Sequence, residues 1–217
     1  MPALLAPGAE MSDPRIEIVA RGYDRIAETF GGWRERIEGD PRREWAEDLA
    51  SRLAPDARVL ELGCGAGSAE TMLFAQRFRF TGVDVSGEQI RRARETVPGA
   101  ELVLGDMLEV ELPPESFDAE CSFYVFNHVP RERLGELLGR IHGWLRPGAL
   151  ALNAFGASDL PGWQGEWLGA ETYFSGFEPA KNTRLVERAG FAVVRDEVVE
   201  FVEPEGSVRF HWILAQR

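Results

Sequence analysis

Glu61-Leu62-Gly63-Cys64-Gly65-Ala66-Gly67 places three glycines at alternate positions, directly after an apolar run and with an acid two residues before the first. Glycines there permit a tight turn and let a ligand approach the main chain closely. If a helix opens after them, its free N–H groups favour a negative group. Asp84 follows about 20 residues later, the separation expected of a carboxylate that accepts from a ribose diol. Gly105-Asp106-Met107 supplies a third acid beside a flat-packing thioether, a pair able to flank a base. An unperturbed histidine titrates near neutrality, so His128, after the fourth strand, is the candidate general base. A helix-capping, structural histidine is the other reading of that residue. His142 and His211 are poorer candidates, one inside a helix pattern and the other inside a strand pattern.

Elements that could hold these groups follow from hydrophobic rhythm. Residues 1–15 read as a flexible leader without a cationic signal-peptide start. Ile16, Val19, Tyr23, Ile26 and Phe30 recur at three and four, so they share a helical face. Gly31-Gly32 is expected to end that helix, and a second carries Trp45, Leu49 and Leu53. Arg58–Leu62 reads as a strand, 68–77 as a helix and Phe80–Val85 as a strand. Ser86 and Gln89 form a capping-box pattern that opens a helix to Val97. Glu101–Leu104, Phe117–Phe126 and Ala149–Phe155 read as further strands, with a helix from Pro130 to Trp144. A helix over 180–189 stops at Gly190. Phe191–Val202 and Ser207–Ala215 flank the turn signal Glu203-Pro204-Glu205-Gly206 and form a hairpin.

Strand alternating with helix predicts an α/β fold, a doubly wound, mostly parallel sheet that ends in an antiparallel strand. Such sheets bind ligands at the carboxyl ends of their strands, where the three acids and His128 fall.

Composition removes several classes of function. Among 217 residues, 24 are Lys or Arg and 36 are Asp or Glu, a net charge of −12. This argues against nucleic-acid binding and against docking on an anionic membrane. No apolar run is long enough for a membrane span. Two cysteines, Cys64 and Cys121, give neither a disulfide framework nor a metal cluster and fit a reduced, cytoplasmic setting. No metal site is expected.

VLELGCGAG at 59–67, GVDVS at 82–86, GDM at 105–107, FDAECSFYVFNHVP at 117–130 and LRPGALAL at 145–152 together resemble the class I S-adenosylmethionine-dependent methyltransferases. The similarity covers about residues 20–217 and is nearest to small-molecule enzymes of the ubiquinone-biosynthesis type. It implies a Rossmann-like, seven-stranded sheet with six parallel strands and an antiparallel seventh. It implies S-adenosylmethionine as cofactor and S-adenosylhomocysteine as product. By the same resemblance Glu61, Gly63, Cys64, Gly65 and Gly67 hold the methionyl part. Asp84, with Val85 and Ser86, takes the ribose, Asp106 and Met107 flank the adenine, and Ser122 with Phe123 lies beneath the cofactor. Tyr23 resembles a tyrosine that closes over the methionine, with Trp33 as a further lid residue. Phe30 stands where the family often has a second tyrosine, so no hydroxyl contact can come from it. Tyr124 and Asn127 are placed toward the substrate.

Two other readings stand beside this one. A dinucleotide-binding oxidoreductase needs G-x-G-x-x-G, but the third glycine here arrives one residue early. A cofactor-binding regulator with the same fold would share every motif. Methyl transfer itself needs alignment, exclusion of water and, for an alcohol acceptor, removal of a proton. Residues 156–178 are too long for a plain connection and carry Trp163, Trp167, Tyr173 and Phe174. They read either as a lid contacting a small, flat or apolar acceptor, or as a helical patch packed on the sheet. The acceptor atom (O, N or C) is left open. The domain reading is a leader over 1–15 and one domain over 16–217, with a helical cap at 16–53 and the lid at 156–178.

Overall fold

The computed structural model describes residues 13–217. The expected leader over 1–15 lies mainly outside the described residues. Its last three positions are ordered: the Asp13 carboxylate caps helix α1 (Pro14–Arg34) by accepting from the Arg15 N–H at 2.9 Å. Gly31 and Gly32 do not end this helix, which corrects the expectation. Two exposed glycines cost roughly 1 kcal/mol each. Packing of the buried Trp33 one residue on, and the Glu35 N–H bond to the Gly31 carbonyl, carry the last turn through.

The remaining order is α2 (Arg42–Ser51), β1 (Arg58–Leu62), α3 (Ala69–Arg77), β2 (Arg79–Asp84), α4 (Gly87–Thr96), β3 (Glu101–Leu104), β4 (Phe117–Ser122), α5 (Leu134–Trp144), β5 (Leu145–Gly156), β6 (Leu160–Trp167), β7 (Ala170–Gly176), α6 (Pro179–Arg188), β8 (Ala192–Glu203) and β9 (Gly206–Gln216). Seven strands form the main sheet in the order β3-β2-β1-β4-β5-β9-β8, with β9 antiparallel to both neighbours. β6 and β7 pair only with each other. The segment 160–176 is therefore a separate antiparallel hairpin, not a helical patch.

Both faces of the sheet are covered, as a mostly parallel sheet requires. Leu60, Leu62, Ala151, Ile213 and Ala215 face α5 and α6. Val59, Ala119, Cys121, Leu152 and Leu214 alternate to the other face, against Trp45, Phe74 and Ile90 of α2, α3 and α4. The strand order reverses between β1 and β4, so a crevice opens at their carboxyl ends. Among the described residues, no helix is long and apolar enough to cross a membrane.

Candidate active site

The turn after β1 is built by glycine. Gly63, Gly65 and Gly67 have φ of +71°, +55° and +84°. At Gly63 a Cβ would lie 2.3 Å from a Val125 methyl, whereas at Gly65 it would meet nothing closer than the Gln89 side chain at 3.8 Å. The main chain is thus packed tightly on one side and open on the other. Ser68 ends the turn by capping α3, its hydroxyl accepting from the N–H groups of Glu70 and Thr71.

Two carboxylates sit on either side of this turn. Glu61, at the end of β1, is buried; one oxygen accepts from the Thr71 hydroxyl at 3.1 Å and the other has no protein partner. Burial pushes its carboxyl up to about 8. Asp84 ends β2 and accepts from the Gly65 N–H at 2.8 Å and the Ser86 N–H at 2.9 Å. Burial raises it to about 6, and those backbone donors oppose the rise. Further along the strand ends, Asp106 accepts from the Leu108 N–H with one oxygen and leaves the other buried and unpartnered.

The turn, Glu61 and Asp84 open into a cavity of about 510 Å³, within the range of small-ligand sites. Of the residues singled out from sequence, Tyr23, Trp33, Glu61, Gly63, Cys64, Gly65, Asp84, Val85, Met107, Phe123, Tyr124, Asn127, His128, Trp163, Trp167 and Phe174 line it. Five others do not. Gly67 packs its α-carbon toward Thr96. Ser86 is occupied as the α4 cap and as a donor to Asp24, so only half of the expected capping box forms. Asp106 and Ser122 are buried just behind the wall. Tyr173 points to the opposite side of the hairpin, where the Arg15 guanidinium lies over its ring. Alternation along β7 makes this inevitable once Phe174 faces inward.

His128 is placed as expected but is not free. Its Nδ1 lies 2.8 Å from the Tyr173 carbonyl, which can only accept, so Nδ1 carries the hydrogen. In the neutral ring Nε2 then accepts from the Tyr23 hydroxyl at 2.9 Å. Burial holds this imidazole down to about 4 and keeps it neutral, and burial also raises the Tyr23 phenol. One ring therefore joins α1, the loop after β4 and the hairpin. The neighbouring Asp24 ties α1 again, accepting from the Ser86 hydroxyl and the Glu88 N–H.

The rest of the cavity is aromatic. Phe30 and Trp33 stack at 5.8 Å, and Trp167 meets Trp33 edge-on at 5.0 Å. Phe174 packs on Trp167 and His128. Tyr124 adopts φ of +60°, a rare backbone state for a side-chain-bearing residue, and donates to Asp40 at 2.6 Å. Sequence reasoning missed Arg34, Arg42, Gln89, Glu203, Arg209 and Phe210, which also line the cavity. Only Gln89 carried a local signal, through its place in the cap of α4. Among the described residues, no group of His, Cys, Asp and Glu has the arrangement of a metal site.

The glycine cradle, the open face at Gly65 and the unpartnered Glu61 and Asp106 oxygens fit an amino acid joined to a nucleoside. With the strand order, they resemble the arrangement of the class I S-adenosylmethionine-dependent methyltransferases. Residues 59–148 match the family described as a methyltransferase domain. The chain is 33% identical over 136 residues to a phosphatidylethanolamine N-methyltransferase of Cereibacter sphaeroides, covering 58% of this chain and 63% of that one. It is 34% identical over 114 residues to a fatty-acid O-methyltransferase of Mycolicibacterium smegmatis, covering 49% and 40%. The chain thus spans less than two thirds of the length of these curated relatives. In structure it is similar to a Burkholderia thailandensis 1,6-didemethyltoxoflavin-N1-methyltransferase, at a TM-score of 0.71 and 21% identity, over 97% of this chain and 92% of that one.

Proposed function

We propose that the protein transfers a methyl group from S-adenosylmethionine to a small-molecule acceptor. The observation that carries this reading is one continuous cavity whose two ends differ in chemistry. One end has a glycine turn between the buried Glu61 and the half-buried Asp84, and the other is an aromatic chamber. The cofactor supplies an activated methyl group on a neutral leaving group. Glu61 would hold the cofactor's amino group with its unpartnered oxygen. Arg34, which lines the cavity within electrostatic reach of Glu61, would hold the carboxylate. Asp84 would accept from the ribose, trading its present backbone donors in part, and Asp106 with Met107 would flank the adenine.

His128 acts in this reading as a positioning residue. Its acceptor nitrogen is spent on Tyr23, so it fixes the tyrosine over the site instead of removing a proton. The β6–β7 hairpin is the lid, with Trp163, Trp167 and Phe174 facing the acceptor, and Tyr173 contributes its carbonyl instead of its ring. The curated relatives act at nitrogen and at oxygen by their names, so likeness to them leaves the acceptor atom open. The net charge of −12 speaks for a small molecule over nucleic acid. Two free, buried cysteines are consistent with a cytoplasmic location.

The test is a thermal melt with S-adenosylhomocysteine and, separately, with NAD. A ligand at 100 times its Kd adds about 2.7 kcal/mol. For a domain of this size that is roughly 5–10 °C in Tm. S-adenosylhomocysteine should give this shift and NAD none. A shift with NAD alone would overturn the assignment. Transfer of labelled methyl to a metabolite pool then separates an enzyme from a cofactor-binding regulator.

A further inference from the structure

One carboxyl group in the chamber is not used by the reading above. Glu203 ends β8, and its side chain lines the cavity. Among the described residues it makes no side-chain hydrogen bond and no ion pair. The charged groups around it are otherwise engaged or displaced. Glu205, on the same turn, accepts from the Trp33 indole at 2.9 Å. Asp40 accepts from Tyr124 and pairs with Arg42 at 2.8 Å, and Arg42 also covers the Tyr124 ring. Arg34 lies toward Glu61, and Arg209, on the wall of the same cavity, is exposed and makes no ion pair with Glu203. Glu203 is close enough to Tyr23 to act on its hydroxyl electrostatically, which puts it near the junction of the two ends.

The walls beside it are ring faces. Phe30, Trp33, Trp167, Phe174 and Phe210 surround the chamber. Aromatic faces attract a desolvated cation, and a carboxylate pairs with it. An anionic acceptor would meet Glu203 unfavourably. An alcohol would need a base, and the His128 lone pair is occupied.

Resting on the methyltransferase reading, we propose that the acceptor is a small amine that enters as its ammonium form, and that Glu203 is the residue that recognises it. The proton passes from the ammonium to the Glu203 carboxylate, which frees the nitrogen lone pair. The N–C bond forms as the S–C bond of the sulfonium breaks, and sulfur keeps that electron pair as a neutral thioether. The methylated nitrogen carries the positive charge away, and Glu203 returns its proton to solvent. Burial, reinforced by Glu205 and Asp40, raises the Glu203 carboxyl to about 7, so both protonation states are accessible near neutrality.

The experiment uses the full chain saturated with S-adenosylhomocysteine and follows tryptophan fluorescence. Probes are amine, alcohol and carboxylate of one skeleton: benzylamine, benzyl alcohol and benzoate, then butylamine, butanol and butyrate. At least one amine should saturate and bind tenfold or more tightly than its alcohol, a preference of about 1.4 kcal/mol. Glu203→Gln should abolish that preference and leave S-adenosylhomocysteine affinity within twofold. Glu203→Asp should retain part of it. The preference should grow as pH rises through about 7 and be flat in Glu203→Gln. Failure of every amine to saturate, tighter binding of the carboxylates, or an unchanged preference in Glu203→Gln would each overturn the proposal. So would loss of S-adenosylhomocysteine binding in that variant, because Glu203 would then belong to the cofactor end. Lack of any melt shift with S-adenosylhomocysteine in the unmutated protein is a separate result and rejects the methyltransferase reading itself.

Discussion

The two ends of the cavity are assembled differently. At the cofactor end the contacts are short in sequence: Gly65 and Asp84, joined by a hydrogen bond, are 19 positions apart. The groups sit on strand ends and glycine turns of the main sheet, which lock them before any ligand arrives. At the acceptor end, Tyr23 and His128 meet across 105 positions, and Trp33 and Glu205 across 172. That chamber is made by α1, the self-paired hairpin and the β8–β9 turn, which share no strand ladder, although α1 sets Gly22 against the Glu171 carbonyl and Glu38 just beyond it pairs with Val202. A preorganised cradle therefore faces an adaptable wall. Damage at one end should be separable from damage at the other.

The largest expected break is at the cradle. Asp84→Ala removes a charged acceptor whose hydrogen bonds are worth about 1.5–3 kcal/mol. S-adenosylhomocysteine affinity should fall roughly ten- to a hundredfold by calorimetry, with the lid rings untouched. Unchanged affinity in a folded variant would place the ribose elsewhere.

Glu61→Gln should weaken the same ligand by about tenfold, since a neutral amide replaces the partner of an ammonium group. It should also stabilise the ligand-free protein at alkaline pH. Burial lifts this carboxyl from 4.5 to about 8, so the folded state holds a proton that the unfolded chain releases. Stability from this group is full below about 4.5 and is lost as pH rises toward and through about 8. A pH series of melting curves should therefore fall more steeply over that interval for the native chain than for the variant.

Trp167→Ala tests the wall. Its ring touches Tyr23, Phe30, Trp33 and Phe174 and belongs to neither core beside the sheet. Tm should drop by only about 2–8 °C, corresponding to ~1–2 kcal/mol of ring contacts. S-adenosylhomocysteine affinity should stay within twofold, while KM rises or kcat falls for the acceptor. A loss of 3–5 kcal/mol, the cost of a core aromatic, would make the hairpin part of the core instead.

The smallest effect is at the hairpin turn. Leu168 and Gly169 have φ of +54° and +85°, the signs of a type I′ turn, and leucine is poorly suited to that backbone. Leu168→Asn should raise Tm by about 1–3 °C, matching a gain of ~0.5–1 kcal/mol. No gain would mean that the leucine side chain contributes packing that offsets its strained backbone.

The same contrast explains what could be read from sequence. β1 and β3 fall at Arg58–Leu62 and Glu101–Leu104 as expected, because a short apolar run, a glycine and an acid are local signals. The line of Glu61, Gly63, Gly65 and Asp84 along the cavity follows from that. Gly31-Gly32 misled because propensity was outweighed by the burial of Trp33 and its bond to Glu205. The hairpin gave no clean alternation: Pro161, Gly162 and Gly165 interrupt β6, and its inward rings find partners on α1. Glu203 and Arg34 look like ordinary surface charges until the chain brings them to one cavity. His128 was legible by position, but its two partners, on α1 and on β7, were not.

The hairpin's independence has a consequence for how such a protein could change. No ladder of the main sheet passes through β6 or β7, and their turn at Leu168-Gly169 projects from the fold without a partner strand. Residues of the largely exposed β6 and its turn can be added, removed or exchanged without unpairing any strand of the seven, provided that buried β7 keeps its contacts: the Tyr173 carbonyl on His128, the Ser175 hydroxyl on the Val129 carbonyl, and Glu171 against Gly22 of α1. A lineage could then revise what this end of the cavity admits by drift in one exposed strand and its turn, while the glycine and carboxylate cradle is inherited whole.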